Sequence, residues 1–194
     1  MFHLYNNFKF NDLYKLINKK QTILDFGCGK GIWNEKKLNK KKILRLILFD
    51  KDKKNFQTLK KKYKKSKKII LEEKLSNIKK YKPKIVLINS VIQYLGYEQL
   101  LKYLNFFKKI KVKKVIISDI PKYSRFFEFF FNLIFFPKIT LIASTYLLDA
   151  NYRNLKYSYF NKVEIQRKLK KFNIKIIKNL NPSPIRYTLI ILLK

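Results

Sequence analysis

Short apolar runs alternate along this chain with lysine-rich stretches, and that alternation limits the fold more than any other feature of the sequence. Each run is a few residues long and rich in Ile, Val, Leu and Phe, as strands buried on both faces of a sheet are. The runs are Thr22–Phe26, Leu44–Phe49, Lys68–Leu71, Ile85–Asn89 and Val115–Ser118. Because the stretches between them carry apolar residues at helical spacing, the pattern predicts βαβ units around a mainly parallel sheet.

Two of the intervening stretches are predicted to be helices, Asn55–Tyr63 and Tyr97–Lys109, and Gly96 marks the start of the second. The end of the chain continues with a predicted helix at Val163–Phe172. Two strands follow it, at Ile174–Lys178 and Tyr187–Leu193. A chain of 194 residues with one such alternation is expected to form a single α/β domain, residues 1–194, with a doubly wound sheet.

The net charge of +34 comes almost entirely from lysine, and the lysines are spread along the whole chain. Base-composition bias in a genome produces this profile, whereas selection for nucleic-acid contacts favours Arg. We therefore expect non-specific, salt-sensitive association with nucleic acids and no reading of bases. The N-terminus lacks the apolar region of a signal peptide, and no uncharged apolar run is long enough to span a bilayer, so a cytoplasmic protein is predicted.

A turn rich in glycine follows the first predicted strand in the segment TILDFGCGKG. Asp25 stands near the end of that strand, and the turn carries Gly27, Gly29 and Gly31. Glycines allow positive φ angles and bring backbone N–H groups close to a ligand. Asp50 ends the second predicted strand, where an acid can hold the two hydroxyls of a ribose. Because the carboxyl ends of parallel strands meet at one edge of a sheet, the sequence predicts a nucleoside site there.

The glycine spacing differs from the dinucleotide pattern G-x-G-x-x-G, because Ile32 stands where that pattern needs its third glycine. The segment instead resembles the first motif of the class I S-adenosylmethionine-dependent methyltransferases, an apolar strand followed by Asp/Glu-x-Gly-x-Gly-x-Gly. The resemblance covers residues 20–119 and resumes at 161–194, which is similar to the closing antiparallel hairpin of that family. It implies a mainly parallel, seven-stranded Rossmann-like sheet with an antiparallel C-terminal strand.

The resemblance also implies a cofactor, S-adenosylmethionine, and positions for its parts. Gly27, Cys28 and Gly29 would lie along the methionine moiety. Asp50 would take the ribose hydroxyls, and Lys51 would flank the adenine. Cys28 is interpreted as a residue that fills space between the glycines and not as a nucleophile.

Asp25, Gly31 and Asn89 complete the predicted cofactor set, with Asn89 in the segment INSVIQYL, which resembles the family's segment that covers the cofactor. The partner of the adenine amino group is expected near Glu73–Leu75, where no single acid is singled out. One cysteine and one histidine, Cys28 and His3, are too few to predict a metal site.

The same resemblance gives a weak candidate for the catalytic residue, Tyr94, which stands where many oxygen-methylating relatives have His. With a reference pKa near 10, Tyr is a poor general base at neutral pH. Asn89 is followed by Ser-Val-Ile and not by the Pro-Pro-Tyr typical of enzymes that methylate amino groups of bases. The predicted acceptor is a small molecule, a saccharide or a lipid-linked precursor. An RNA or protein methyltransferase and a non-catalytic binding module are the alternatives.

Residues 122–160 break the alternation with an aromatic segment, which we interpret as an insertion into the single domain. Arg125, Glu128 and Asn132 fall at helical spacing and form a narrow polar stripe on an otherwise apolar helix. Such a helix packs on the core or on a second subunit, forms a lid over a hydrophobic acceptor, or lies in a lipid interface. The last alternative would allow peripheral contact with the inner face of the membrane.

Overall fold

The structure is a computed structural model that describes residues 16–17, 20–31, 43–121, 134, 160–177 and 186–193. Its strands are β1 (Thr22–Phe26), β2 (Arg45–Phe49), β3 (Ile69–Glu72), β4 (Ile85–Asn89), β5 (Lys114–Pro121), β6 (Asn173–Ile177) and β7 (Arg186–Leu192). Its α-helices are α1 (Lys53–Tyr63), α2 (Tyr97–Lys109) and α3 (Lys162–Lys168), and two 3₁₀ helices span Leu75–Tyr81 and Ile92–Tyr94.

The seven strands form one sheet in the order β3-β2-β1-β4-β5-β7-β6. Every neighbouring pair from β3 to β5 is parallel, whereas β7 is antiparallel to both β5 and β6. The predicted seven-stranded, doubly wound sheet with an antiparallel C-terminal strand is therefore confirmed. The strand order reverses between β1 and β4, and ligands of such sheets bind at this reversal, outside the carboxyl ends of the strands.

Both faces of the sheet are buried, which explains why its central strands are continuously apolar. Successive residues of a strand point to opposite faces, so Leu24 lies in one apolar cluster while its neighbour Ile23 lies in the other. Phe26, the last residue of β1, packs among aromatic rings. Its ring centroid is 5.0 Å from that of Phe49 and 4.7 Å from that of Tyr103 in α2. The start of the glycine turn is therefore anchored in the core.

The structure corrects several predicted boundaries. β5 extends to Pro121 instead of ending at Ser118, because β7 pairs with it on both sides of a register shift between Ile117 and Ile120. α3 ends at Lys168, and the two 3₁₀ helices were not predicted. Of the predicted aromatic insertion, residues 122–160, only positions 134 and 160 belong to the described residues. Among the helices of the described residues, none combines the length and apolar character needed to cross a bilayer.

Candidate functional site

The glycine turn leaves β1 where the strand order reverses and is bound to the end of β2. The N–H groups of Gly27 and Cys28 both donate to the carbonyl of Phe49, at 2.8 and 3.1 Å, and the Gly31 N–H returns to the carbonyl of Cys28 at 3.0 Å. The φ angles of the three turn glycines are +71°, +55° and +64°. Such a conformation costs a residue with a side chain about 1–2 kcal/mol. The backbone of this turn therefore favours glycine at each of the three positions.

The three glycines differ in what surrounds them. A Cβ atom on Gly27 would stand 2.6 Å from Cγ2 of Val91, and one on Gly31 would stand 2.6 Å from Cδ2 of Leu59. A Cβ atom on Gly29 would meet no described atom within 4 Å. Gly27 and Gly31 thus allow neighbouring side chains to pack against the turn, whereas no described side chain packs against Gly29 at its Cβ position. Gly29 is the position at which a ligand can approach the backbone.

Asp50, the first residue after β2, connects this turn to α1. Its Oδ2 accepts the N–H of Gly29 at 2.6 Å, and its Oδ1 accepts the N–H of Asp52 at 2.9 Å and the amide of Asn55 at 3.4 Å. A carboxylate offers about four acceptor positions, so Asp50 can accept a further donor beside Gly29. Asp52 has a separate structural role, because it caps α1 by accepting the N–H of Lys54 at 2.8 Å.

The thiol of Cys28 is held in its neutral form. Burial raises its pKa well above the usual value, and the carboxylates of Asp25 and Asp50 raise it further. A neutral thiol is a poor nucleophile. Asp25 itself lies in β1 and is 5% exposed. Within the parts of the chain that the structure describes, no three His, Cys, Asp or Glu side chains group closely enough to hold a metal ion.

Lys62 reaches the turn from α1, and Lys51 follows Asp50 after the end of β2. The Lys62 ammonium donates to the carbonyl of Gly31 and, at 3.4 Å, to that of Lys30, and burial lowers the pKa of Lys62. Lys51 is exposed, with Nζ 5.5 Å from the ring centroid of Tyr103. Lys51 is among the predicted site residues. Lys62 is not, because nothing in the sequence distinguishes Lys62 from the other lysines around it.

The ends of β4 and β5 bring four polar residues together beside the turn. The Ser118 hydroxyl donates to Oδ1 of Asn89 at 2.7 Å, and the Ser90 hydroxyl donates to the Asp119 carboxylate. Ser90 and Asp119 both have positive φ angles, +56° and +65°. Asn89 is among the predicted cofactor residues and Asp119 is not, although Asp119, like the predicted Asp25, is an acid at the end of an apolar strand.

The segment after β4 runs directly over the glycine turn. The side chain of Val91 occupies the space next to Gly27, and the 3₁₀ helix Ile92–Tyr94 follows it. Tyr94 ends this helix with 37% of its surface exposed. Gln93 is buried, and its Nε2 donates to the carbonyl of Ser90 at 2.7 Å.

Glu72, at the end of β3, holds the 3₁₀ helix Leu75–Tyr81 against the sheet. Its Oε1 accepts the N–H of Lys74 at 3.0 Å and the amide of Asn77 at 3.1 Å. Its Oε2 accepts the Tyr81 hydroxyl at 3.1 Å and lies 3.4 Å from the Lys80 ammonium. Burial opposes ionisation of Glu72, but these donors outweigh it and hold the pKa of the carboxyl below its usual value. All of its acceptor positions are filled.

Glu72→Gln is expected to lower the free energy of unfolding by about 1–3 kcal/mol at neutral pH, because it removes the charge that four donors share. A group whose pKa is lowered by folding stabilises the protein above its unfolded pKa, so this difference should shrink as the pH falls below the usual carboxyl range. Urea unfolding of the wild type and of Glu72→Gln, at neutral pH and at a pH below the usual carboxyl range, measures this difference in stability. Glu73→Gln is the control, since Glu73 is exposed and 3.8 Å from Lys60. Equal losses of unfolding free energy in Glu72→Gln and Glu73→Gln would contradict a stabilising role for the hydrogen bonds to Glu72.

No protein family and no curated protein matches this sequence, but solved structures match its fold. The pyocyanin biosynthetic protein PhzM aligns with a TM-score of 0.67 and 12% identity over 97% of this chain, which spans 55% of that protein. The methyltransferase domain of bacterial CtHen1-C has a TM-score of 0.63, 15% identity and 96% coverage of both chains. Magnesium protoporphyrin IX methyltransferase from Synechocystis PCC 6803, solved with bound SAM, has a TM-score of 0.60, 10% identity and coverages of 99% and 79%. The chain therefore has the fold of the class I S-adenosylmethionine-dependent methyltransferases.

Proposed function

We propose that this chain binds S-adenosylmethionine at the glycine turn and transfers its methyl group to an acceptor at the same edge of the sheet. The observation that carries the proposal is the pairing of Gly29 with Asp50. A Cβ on Gly29 would meet no described atom within 4 Å at the point where the strand order reverses, and the Gly29 N–H is held 2.6 Å from a carboxylate that can accept a further donor. A protein of this fold has been solved with bound SAM.

The residues around the turn fit the parts of this cofactor. Asp50 would accept a ribose hydroxyl at the acceptor position that Gly29, Asp52 and Asn55 leave, and Gly27, Cys28 and Gly29 would follow the methionine moiety. Because its thiol is neutral, Cys28 would contact the cofactor without reacting with it. Lys51 would flank the adenine from its exposed position beside Tyr103.

Asp25 and Gly31 would hold the turn in the shape that binds the cofactor. Asn89 would contact the cofactor from the end of β4. Glu72 is unsuited to the adenine amino group because its acceptor positions are filled by the protein. The partner of that amino group therefore stays a prediction within Glu73–Leu75.

The bound cofactor supplies a methyl group on a positively charged sulfur, and the thioether that leaves needs no proton. The protein therefore contributes mainly by holding the two reactants in line, and such positioning can lower the barrier by about 7–11 kcal/mol in favourable cases. The aromatic packing of Phe26 at the start of the turn and the Val91 side chain in the space next to Gly27 support this role. Tyr94 is the weak candidate for a general base, since its reference pKa near 10 suits it poorly to that work.

We propose a small molecule, a saccharide or a lipid-linked precursor as the acceptor. Two of the similar structures carry small-molecule names, pyocyanin and magnesium protoporphyrin IX. Asn89 is not followed by Pro-Pro-Tyr, and this weighs against the amino groups of nucleic-acid bases as methyl acceptors. The scattered lysines keep an RNA methyltransferase as the second candidate, because they would attract any polyanion.

Asp50→Ala is expected to weaken S-adenosylmethionine binding by about 1–3 kcal/mol, which is roughly 5-fold to 150-fold, because a charged hydrogen-bond partner is lost. Isothermal titration calorimetry measures it. Asp52→Ala is the matched control. It removes the cap of α1, at a cost of about 1 kcal/mol of stability, but should leave the affinity unchanged. An Asp50→Ala variant that is folded and binds as tightly as the wild type would mean that the cofactor assignment is wrong.

A further inference from the structure

Although lysines are spread along the sequence, the fold sorts the charged residues between the two edges of the sheet. All eight acidic residues that the structure describes lie at the edge where the parallel strands end. Three are within the last three residues of β1, β3 or β5, and three follow β2 or β3 within three residues. The other two, Glu98 and Glu164, lie in the first turns of α2 and α3. α3 begins at this edge because the Phe160 N–H donates to the carbonyl of Pro121, which ends β5, at 2.9 Å.

The opposite edge, where the parallel strands begin, carries basic side chains. Exposed lysines precede five of these strands, and we call six of them the basic edge: Lys20, Lys67, Lys82, Lys111, Lys113 and Lys170. Backbone bonds hold neighbouring loops of this edge side by side. The Lys84 N–H donates to the carbonyl of Thr22 at 2.9 Å, and the Lys113 N–H donates to that of Lys84 at 3.0 Å. With strands about 4.8 Å apart, the seven-stranded sheet makes this edge about 29 Å long.

Helix dipoles explain only part of this lysine excess. α1 and α2 end at the basic edge, and the lysines in their last turns complement the partial negative charge of a helix C-terminus. Lys67 and Lys113 come four residues after those helices end, beyond the range of this effect. Lys20, Lys82 and Lys111 have φ angles of +56°, +49° and +61°, a conformation that favours Gly or Asn. Base composition does not explain Lys there, because Asn codons are as rich in A and T as Lys codons.

The basic edge also carries exposed leucine and no exposed aromatic residue among those described. Leu44 precedes β2, and its N–H donates to the carbonyl of Gln21 at 3.2 Å while its side chain is 60% exposed. Leu192, at the end of β7, is 39% exposed at the same edge. Tyr94, the exposed aromatic residue of the described part, follows β4 at the other edge. Nucleic-acid surfaces favour Arg and aromatic rings that stack on bases, so this composition suits a different polyanion.

We propose that the basic edge is a docking surface for a bilayer that contains anionic lipids. Clusters of about four to eight basic residues are attracted by the negative surface potential of such a bilayer. Leucine side chains are stabilised when they enter the boundary between headgroups and acyl chains. Docking does not depend on the proposed methyl transfer. It points the acidic edge, and with it the glycine turn, away from the lipid.

Flotation of the full chain with vesicles tests the proposal. The vesicles contain equal parts of phosphatidylglycerol and phosphatidylcholine, and pure phosphatidylcholine vesicles serve for comparison. The double variant Lys67→Glu/Lys113→Glu is expected to bind the anionic vesicles at least about thirtyfold more weakly than the wild type, because two attractive charges are lost. Circular dichroism checks that each variant is folded.

The matched control is Lys53→Glu/Lys54→Glu, which makes the same change of net charge. Lys53 and Lys54 are exposed at the start of α1, at the acidic edge. A strand of five residues separates the two edges by about 17 Å, which is about two screening lengths at physiological ionic strength. The control should therefore bind the anionic vesicles within about threefold of the wild type.

Leu44→Ser distinguishes a bilayer from a nucleic acid. It is expected to weaken vesicle binding about fivefold, because apolar surface that would enter the lipid is lost. Binding to poly(U) RNA, measured by fluorescence anisotropy, should stay within about twofold, since lysines alone attract phosphates.

Equal losses of vesicle binding in Lys67→Glu/Lys113→Glu and in Lys53→Glu/Lys54→Glu would overturn the proposal, because net charge and not the basic edge would then govern binding. Failure of the wild type to bind anionic vesicles, or equal binding to phosphatidylcholine alone, would overturn it as well. A Leu44→Ser protein that binds vesicles as tightly as the wild type would show that only phosphate attraction is involved, and would likewise exclude docking to a bilayer.

Discussion

Gly31→Ala is expected to lower the free energy of unfolding by about 3 kcal/mol, because a side chain at this position meets both strain and a clash. The φ angle of Gly31 is +64°. Its new Cβ would stand 2.6 Å from Cδ2 of Leu59 and 2.9 Å from Cε2 of Tyr63. Both neighbours are buried against the sheet from α1, so neither can move away at little cost.

Urea unfolding of Gly31→Ala beside Gly96→Ala measures this effect. Gly96 has a φ angle of −78°, and a Cβ there would meet no described atom within 4 Å. The control variant should therefore lose less than about 1 kcal/mol, the range for exchanging a cap residue. A Gly31→Ala protein as stable as Gly96→Ala would show that the turn does not pack against α1 as described.

Gly29→Ala is expected to leave the protein folded and to weaken S-adenosylmethionine binding by about 3 kcal/mol, which is about 150-fold. The unfolding free energy should fall only by the cost of a positive φ angle, about 1–2 kcal/mol, because the new Cβ meets no described atom. In the proposed complex the same Cβ would occupy the space through which the cofactor approaches the backbone. The substitution therefore separates stability from binding.

Calorimetric titration of Gly29→Ala and Gly96→Ala with S-adenosylmethionine, combined with urea unfolding of both, checks this separation. Gly96 lies at the start of α2, outside the turn, and its variant should bind as the wild type does. A Gly29→Ala protein that binds with wild-type affinity would contradict a close approach of the cofactor to Gly29. A large loss of stability would contradict the absence of described atoms around the new Cβ.

The central strands could be predicted from the sequence because burial on both faces leaves a continuous apolar run. β1 and β4 have the predicted bounds, Thr22–Phe26 and Ile85–Asn89. The end of β5 could not be predicted, because it depends on pairing with β7, which is distant in the chain. The 3₁₀ helix Leu75–Tyr81 depends likewise on hydrogen bonds to Glu72 and has no periodic apolar pattern.

The candidate site was predicted in part for the same physical reasons. The glycine turn and Asp50 are adjacent because parallel strands end at one edge, and the structure joins them through the bond between Gly29 and Asp50. Lys62 reaches the turn through the packing of α1, which residue spacing does not reveal. Ser90 and Asp119 pair only because β4 and β5 are neighbours. The interpretation of residues 122–160 as a lid, membrane surface or subunit contact stays a prediction.

The most direct test of the account is a calorimetric titration of the wild-type protein with S-adenosylmethionine. A separate titration with NAD, a dinucleotide, serves as the comparison. The turn lacks the third glycine position of a dinucleotide site, and Asp50 keeps an acceptor position for ribose. The account predicts saturable one-to-one binding of S-adenosylmethionine and no measurable binding of NAD. Absence of S-adenosylmethionine binding, or equal binding of the two ligands, would contradict it.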